Sequence, residues 1–180
     1  MKNIFLKKNR QSKGYSLLLA ILVINIVLAM SLGIFSITIK ALILAAFMKD
    51  SQKAFGVADR ALECALYWDR AYMWNGITPA ISIFSTGSAY TPPTNMNNVT
   101  CIGQRLNNSA APPTGTGWNV TTTSATGTTN FTLTYPAEGT CAEIRVIKDE
   151  ISTRITVNGY NTCSANNPRR IQRTIQADTL

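Results

Sequence analysis

The sequence predicts an α+β protein: one long N-terminal helix, half membrane-spanning and half amphipathic, packed on a C-terminal antiparallel sheet. Three observations carry that expectation. No charged residue lies between Lys13 and Lys40. Just beyond, Ala54, Ala58, Ala61, Ala65 and Trp68 recur at steps of four, three, four and three, the period of one helix face. From Phe131 onward, short segments alternate apolar and polar residues, the period of a half-buried strand.

The apolar run extends from Gly14 to Met48. It exceeds the roughly 20 residues that cross a bilayer as a helix. It is also longer than the ~7–15-residue apolar core of a cleaved secretory signal. Residues 15–48 therefore read as the transmembrane half of the helix. Lys2, Lys7, Lys8, Arg10 and Lys13 precede the run, and the first acidic residue is Asp50. That bias holds residues 1–14 in the cytoplasm as a leader and sends everything after Met48 across the cytoplasmic membrane, as a single-pass protein. Lys40 has a stem long enough to snorkel to the headgroups. Asn25 bonds either a neighbouring helix or its own backbone.

Residues 49–70 continue as the amphipathic half. Between Ala41 and Trp68 there is no proline, and Gly56 is the sole glycine. Asp50, Lys53, Asp59, Arg60, Glu63 and Arg70 cover the faces that the alanine stripe leaves free. Such a helix is not stable alone in water, so the stripe needs a globular partner from the rest of the chain. Residues 71–130 read as a variable loop region rich in Thr, Ser, Pro and Gly, with Ile77–Phe84 and Val99–Ile102 as strands or short turns. The Asn-x-Ser/Thr triplets at Asn98, Asn107, Asn119 and Asn130 are what chance provides in so Thr-rich a stretch. Residues 131–180 form the sheet. Its strands are Phe131–Tyr135, Ala142–Val146, Thr153–Val157 and Arg170–Ala177, with a hairpin turn at Asp149–Ser152.

At 180 residues the chain has room for one membrane helix and one modest outer domain. Five of the residues behind its net charge of +8 are the leader cations, so +3 remains without them. The basic balance is mainly a topology signal. Cys64, Cys101, Cys141 and Cys163 all fall on the outer side, without a CxxC or a histidine to suggest zinc. An even set there implies disulfides, in any of three pairings; the strand reading favours Cys64 with Cys101 and Cys141 with Cys163.

Catalytic constellations are missing. There is no histidine, Asp149-Glu150 reads as a solvated turn, and Gly115-x-Gly117 lacks the lysine of a phosphate cradle. The expectation is a non-enzyme with no metal and no cofactor. Arg145, Arg154, Arg169, Arg170 and Arg173, with Lys148, are either solvated strand faces or a nucleic-acid patch that contacts DNA.

The junction Lys13-Gly14-Tyr15-Ser16-Leu17-Leu18 sets a basic leader and a glycine against the start of the apolar helix. It resembles the processing site of type IV pilins and pseudopilins. The resemblance implies that prepilin peptidase cuts between Gly14 and Tyr15 and that Tyr15 becomes the methylated N-terminus. It also implies a pilin-like fold, with other pilin subunits as partners through the N-terminal helix. Ala61-Leu62-Glu63-Cys64-Ala65-Leu66-Tyr67-Trp68-Asp69 further resembles the helix of pilin-like proteins from small-genomed uncultured bacteria. The chain departs from major pilins at Leu19, where those subunits carry a glutamate. That departure implies a minor subunit of a type IV pilus at the cell surface, or a pseudopilin of a type II secretion or DNA-uptake filament. The alternative is an unprocessed, signal-anchored surface adhesin.

Overall fold

In the computed structural model, residues 13–74, 82–87, 99–112 and 115–180 are described. The leader as far as residue 12 and the expected segments 77–81 and 91–94 lie outside them. The chain divides into two compact units, Met1–Ala46 and Phe47–Leu180. Helix α1 (Lys13–Trp74) supplies the described part of the first unit and opens the second.

In the first unit every side chain from Tyr15 to Ala46 is exposed. Leu18 at 63% and Ile37 at 70% are left uncovered by the described residues. The helix is long and apolar enough to cross a membrane. It extends a few residues beyond the expected 15–70 at each end.

The second unit is one face of α1 laid on an antiparallel sheet. Five strands run in consecutive order: β3 (Asn119–Thr122), β4 (Gly127–Tyr135), β5 (Thr140–Lys148), β6 (Thr153–Tyr160) and β7 (Gln172–Thr179). A separate small hairpin joins β1 (Thr100–Cys101) to β2 (Gln104–Arg105). The four strands expected near the C-terminus correspond to β4–β7. Strand β1 falls within the expected strand or short turn Val99–Ile102, whereas β2 and β3 come out of the segment read as loops.

Turn chemistry sets the register. Between β5 and β6 the Asp149 carboxylate accepts from the backbone N–H of Ile151 at 2.8 Å, which closes the hairpin with Lys148 opposite Thr153. Between β4 and β5 the N–H groups of Glu138 and Gly139 donate to the Tyr135 carbonyl, and Gly139 takes the positive φ (67°) that the turn needs. That register turns Phe131, Leu133, Ala142, Ile144, Val146, Ile155 and Val157 to one side, where they are buried with Ala54, Val57, Ala58, Ala61, Leu62 and Ala65 of α1. Each large aliphatic side chain so buried contributes about 1.5–3 kcal/mol.

Small residues let helix and sheet approach closely. A Cβ at Gly159 of β6 would collide with the Ala54 carbonyl oxygen and would lie 2.7 Å from the Ala58 nitrogen. Glycine is therefore required at that crossing, and the alanine stripe is its counterpart on the helix.

The Thr-rich middle closes one side of the sheet. Strand β3 pairs only with the first part of β4. Further along β4, the N–H of Thr132 donates to the Thr116 carbonyl at 2.7 Å and that of Thr134 to Gln104 Oε1 at 3.2 Å. Main-chain donors that would otherwise face outward on an edge strand are thus satisfied.

Candidate functional site

The expected processing junction lies at the start of α1. Gly14 and Tyr15 both have helical backbone, and Tyr15 is 70% exposed. The basic residues at 2–10 lie outside the described residues. From Tyr15 to Met48 the helix offers apolar side chains on every face, which only lipid or other apolar helices can cover.

Cys64 and Cys101 are bonded, with Cα atoms 6.1 Å apart, so the bridge staples α1 to the β1–β2 hairpin. The Trp68 indole N–H donates to the Thr100 carbonyl at 3.0 Å beside it. The two-residue turn of this hairpin holds Ile102 at φ 54° and Gly103 at φ 74°. A β-branched residue rarely adopts that conformation, and here the bridge on one side and the Gln104–Thr134 bonds on the other impose it. The second expected bridge is not formed: Cys141 and Cys163 are thiols, the first buried and the second exposed. The Cys163 N–H nonetheless donates to the Gly139 carbonyl at 3.2 Å, two residues before Cys141.

The sequence reading missed a buried ion pair. Lys148 Nζ lies 2.6 Å from Asp69 Oδ1, both nearly inaccessible, and also donates to Thr153 Oγ1 at 2.9 Å. The Ser82 hydroxyl donates to the same Asp69 oxygen at 2.7 Å. The network ties the end of α1 to β5, β6 and the segment 82–87. A signal was present: Asp69 falls four residues after Ala65, on the apolar stripe, and Lys148 falls two after Val146, in phase with the inward residues of β5. Two opposite charges, each on a buried face, call for one another.

The five arginines do not form a continuous patch. Arg173 lies on the helix side of β7 and donates to Ser51 Oγ at 2.8 Å. The other four are divided between the outer sheet face and the 161–171 loop. Arg154 pairs with Asp178 at 2.7 Å, and Arg170 lies 3.7 Å from Glu143 and 3.7 Å over the Tyr160 ring. Of these residues, Arg145 is exposed without an ion pair among the described residues, and Arg169 lies in the loop between β6 and β7. Carboxylates interleave with the cations, so the face lacks the unbroken basic stripe that tracks a phosphate backbone.

No protein-family model matches this chain, no curated protein matches its sequence, and no solved structure matches its fold. Its functional reading rests on its own residues. Among the described residues no group of histidine, cysteine or acidic side chains could hold a metal ion.

Proposed function

We propose that this chain is a minor subunit of a type IV pilus or a related pseudopilus, inserted in the cytoplasmic membrane, cut after Gly14 and assembled through its apolar helix. One observation carries the reading: a single uninterrupted helix joins an apolar segment, exposed from Tyr15 to Ala46 among the described residues, to a folded sheet domain. A segment so apolar on every face is satisfied by lipid before assembly and by neighbouring helices after it. Cleavage at Gly14 removes the basic leader and keeps that helix attached to its domain. Leu19 stands where a major pilin would offer a carboxylate to a neighbour's terminal amine, which is why the subunit is assigned a minor place.

Intact-mass analysis of membrane-extracted protein tests this. A mature chain beginning at N-methylated Tyr15 is expected, and Gly14→Val leaves the leader in place. Retention of Met1–Gly14 in the wild type favours the simple anchored adhesin instead. Removal ending near Ala46 overturns both readings, because the domain is then shed from its helix.

A further inference from the structure

At the end of the sheet where β5 begins and β6 finishes, two thiols meet. Cys141 is the second residue of β5, opposite Thr134 of β4 and Tyr160 of β6, and it is buried. After Tyr160 the chain turns back, so that the Cys163 N–H donates to the Gly139 carbonyl at 3.2 Å, in the turn immediately before β5. This sets the exposed Cys163 beside the turn that leads, two residues later, into the buried Cys141.

The loop that carries Cys163 is already shaped. The Ile171 N–H donates to Asn161 Oδ1 at 2.7 Å and the Asn161 side-chain amide to the Arg169 carbonyl at 2.9 Å, which pins the loop's neck. The Arg170 N–H donates to the Asn167 carbonyl at 2.9 Å inside it. Above the thiols, the Tyr160 hydroxyl donates to Glu143 at 2.9 Å, and the Arg170 guanidinium covers the Tyr160 ring.

We propose that Cys141 and Cys163 are a two-thiol site that closes to a second disulfide by exchange with an oxidised dithiol donor, entering at Cys163 and resolving at Cys141, and that closure locks the 161–171 loop to the start of β5. In the first step Cys163 gives its proton to solvent and its thiolate attacks one sulfur of the donor disulfide; the other donor sulfur leaves as a thiolate. In the second step Cys141 gives up its proton and attacks Cys163 Sγ, and the remaining donor sulfur departs with the bonding pair. The protein loses two hydrogens and the donor gains them.

The order follows from the surroundings. Only Cys163 is open to a donor. Burial pushes the Cys141 thiol up to about 12, so it is a poor first attacker, while the nearby Arg170 charge opposes that rise and favours its thiolate in the second step. The inference does not rest on the filament reading; it needs only an oxidising donor on the outer side.

The full chain, reduced in detergent and then exposed to oxidised glutathione, tests the site. Non-reducing peptide mapping is expected to give a Cys141–Cys163 linked peptide from the wild type. Cys141→Ser should accumulate glutathione on Cys163. Cys163→Ser should modify Cys141 about tenfold or more slowly. Closure should also slow amide exchange in residues 161–171 by about tenfold. If both thiols of the folded wild type remain alkylatable, the site does not close and the proposal falls. Equal rates in the two variants overturn the order, and unchanged exchange overturns the locking.

Discussion

At the scale of single residues, charge placement carries most of the specificity. Asp69 and Lys148 come from elements 79 positions apart and meet where both are desolvated. Removing one partner leaves the other charge buried and uncompensated. Lys148→Met is therefore expected to cost about 3–5 kcal/mol in urea denaturation of the detergent-solubilised chain, and adding Asp69→Leu should restore most of that loss. A double variant as unstable as the single one would show that the packing of these side chains, rather than their charge, was lost. Asp149 acts through its turn. Hydrogen bonds from the backbone of Ser152 and Ile151, with the Ser152 hydroxyl, hold its carboxyl below the usual range. A depressed folded pKa contributes stability above the unfolded value of about 3.9, and that contribution is lost as pH falls through the folded value. Asp149→Asn should consequently flatten the acid limb of stability against pH below about pH 4, when denaturation midpoints are compared with wild type. Parallel limbs would mean that the turn does not depend on the charge.

Among elements, the crossing of α1 over β6 is the most demanding contact. At Gly159 a single added methyl group meets backbone atoms of Ala54 and Ala58, which cannot rotate away. Gly159→Ala is expected to destabilise by about 2–3 kcal/mol, because the helix must lift from the sheet. Gly56 provides the contrast, since nothing lies within 4 Å of a Cβ placed there. Gly56→Ala should stabilise by about 0.5–1 kcal/mol through helix propensity alone. Thermal melts of the two variants check the pair, and equal effects would refute the close approach. Strand β7 shows another side of element economy: its residues are exposed or only half-buried, and its place in the sheet is held by pairing with β6 along its whole length.

For the whole molecule, two compact units imply two separate sources of stability. In the first, the described side chains from Tyr15 to Ala46 are all exposed, an apolar surface that lipid or other helices would stabilise; the second has its own core. As the proposed minor subunit, the protein should be a small fraction of sheared filaments by quantitative mass spectrometry. Finding it as the main component would overturn the role assigned through Leu19. Immunogold labelling of shaft, tip or secretion apparatus would distinguish the kinds of filament.

The apolar run, the alanine stripe, the late strands and the Asp149 turn were all legible along the chain. Each is a local period or a local turn, written in residues a few positions apart. What only the tertiary structure decided lies between distant residues. Strand β3 is too short and too Thr-rich to announce a period, and the hairpin at Cys101, legible only as a strand or short turn at Val99–Ile102, takes its form from the Cys64 bridge and the edge of β4. Register decided that Arg173 faces the helix while Arg145 and Arg154 face outward, because one step along a strand reverses the side on which a side chain stands. The same register, with the turn after Tyr160, brought Cys163 near Cys141, and it set Lys148 against Asp69. Periodicity tells which face of an element is buried; the crossing and pairing of elements determine what that face meets.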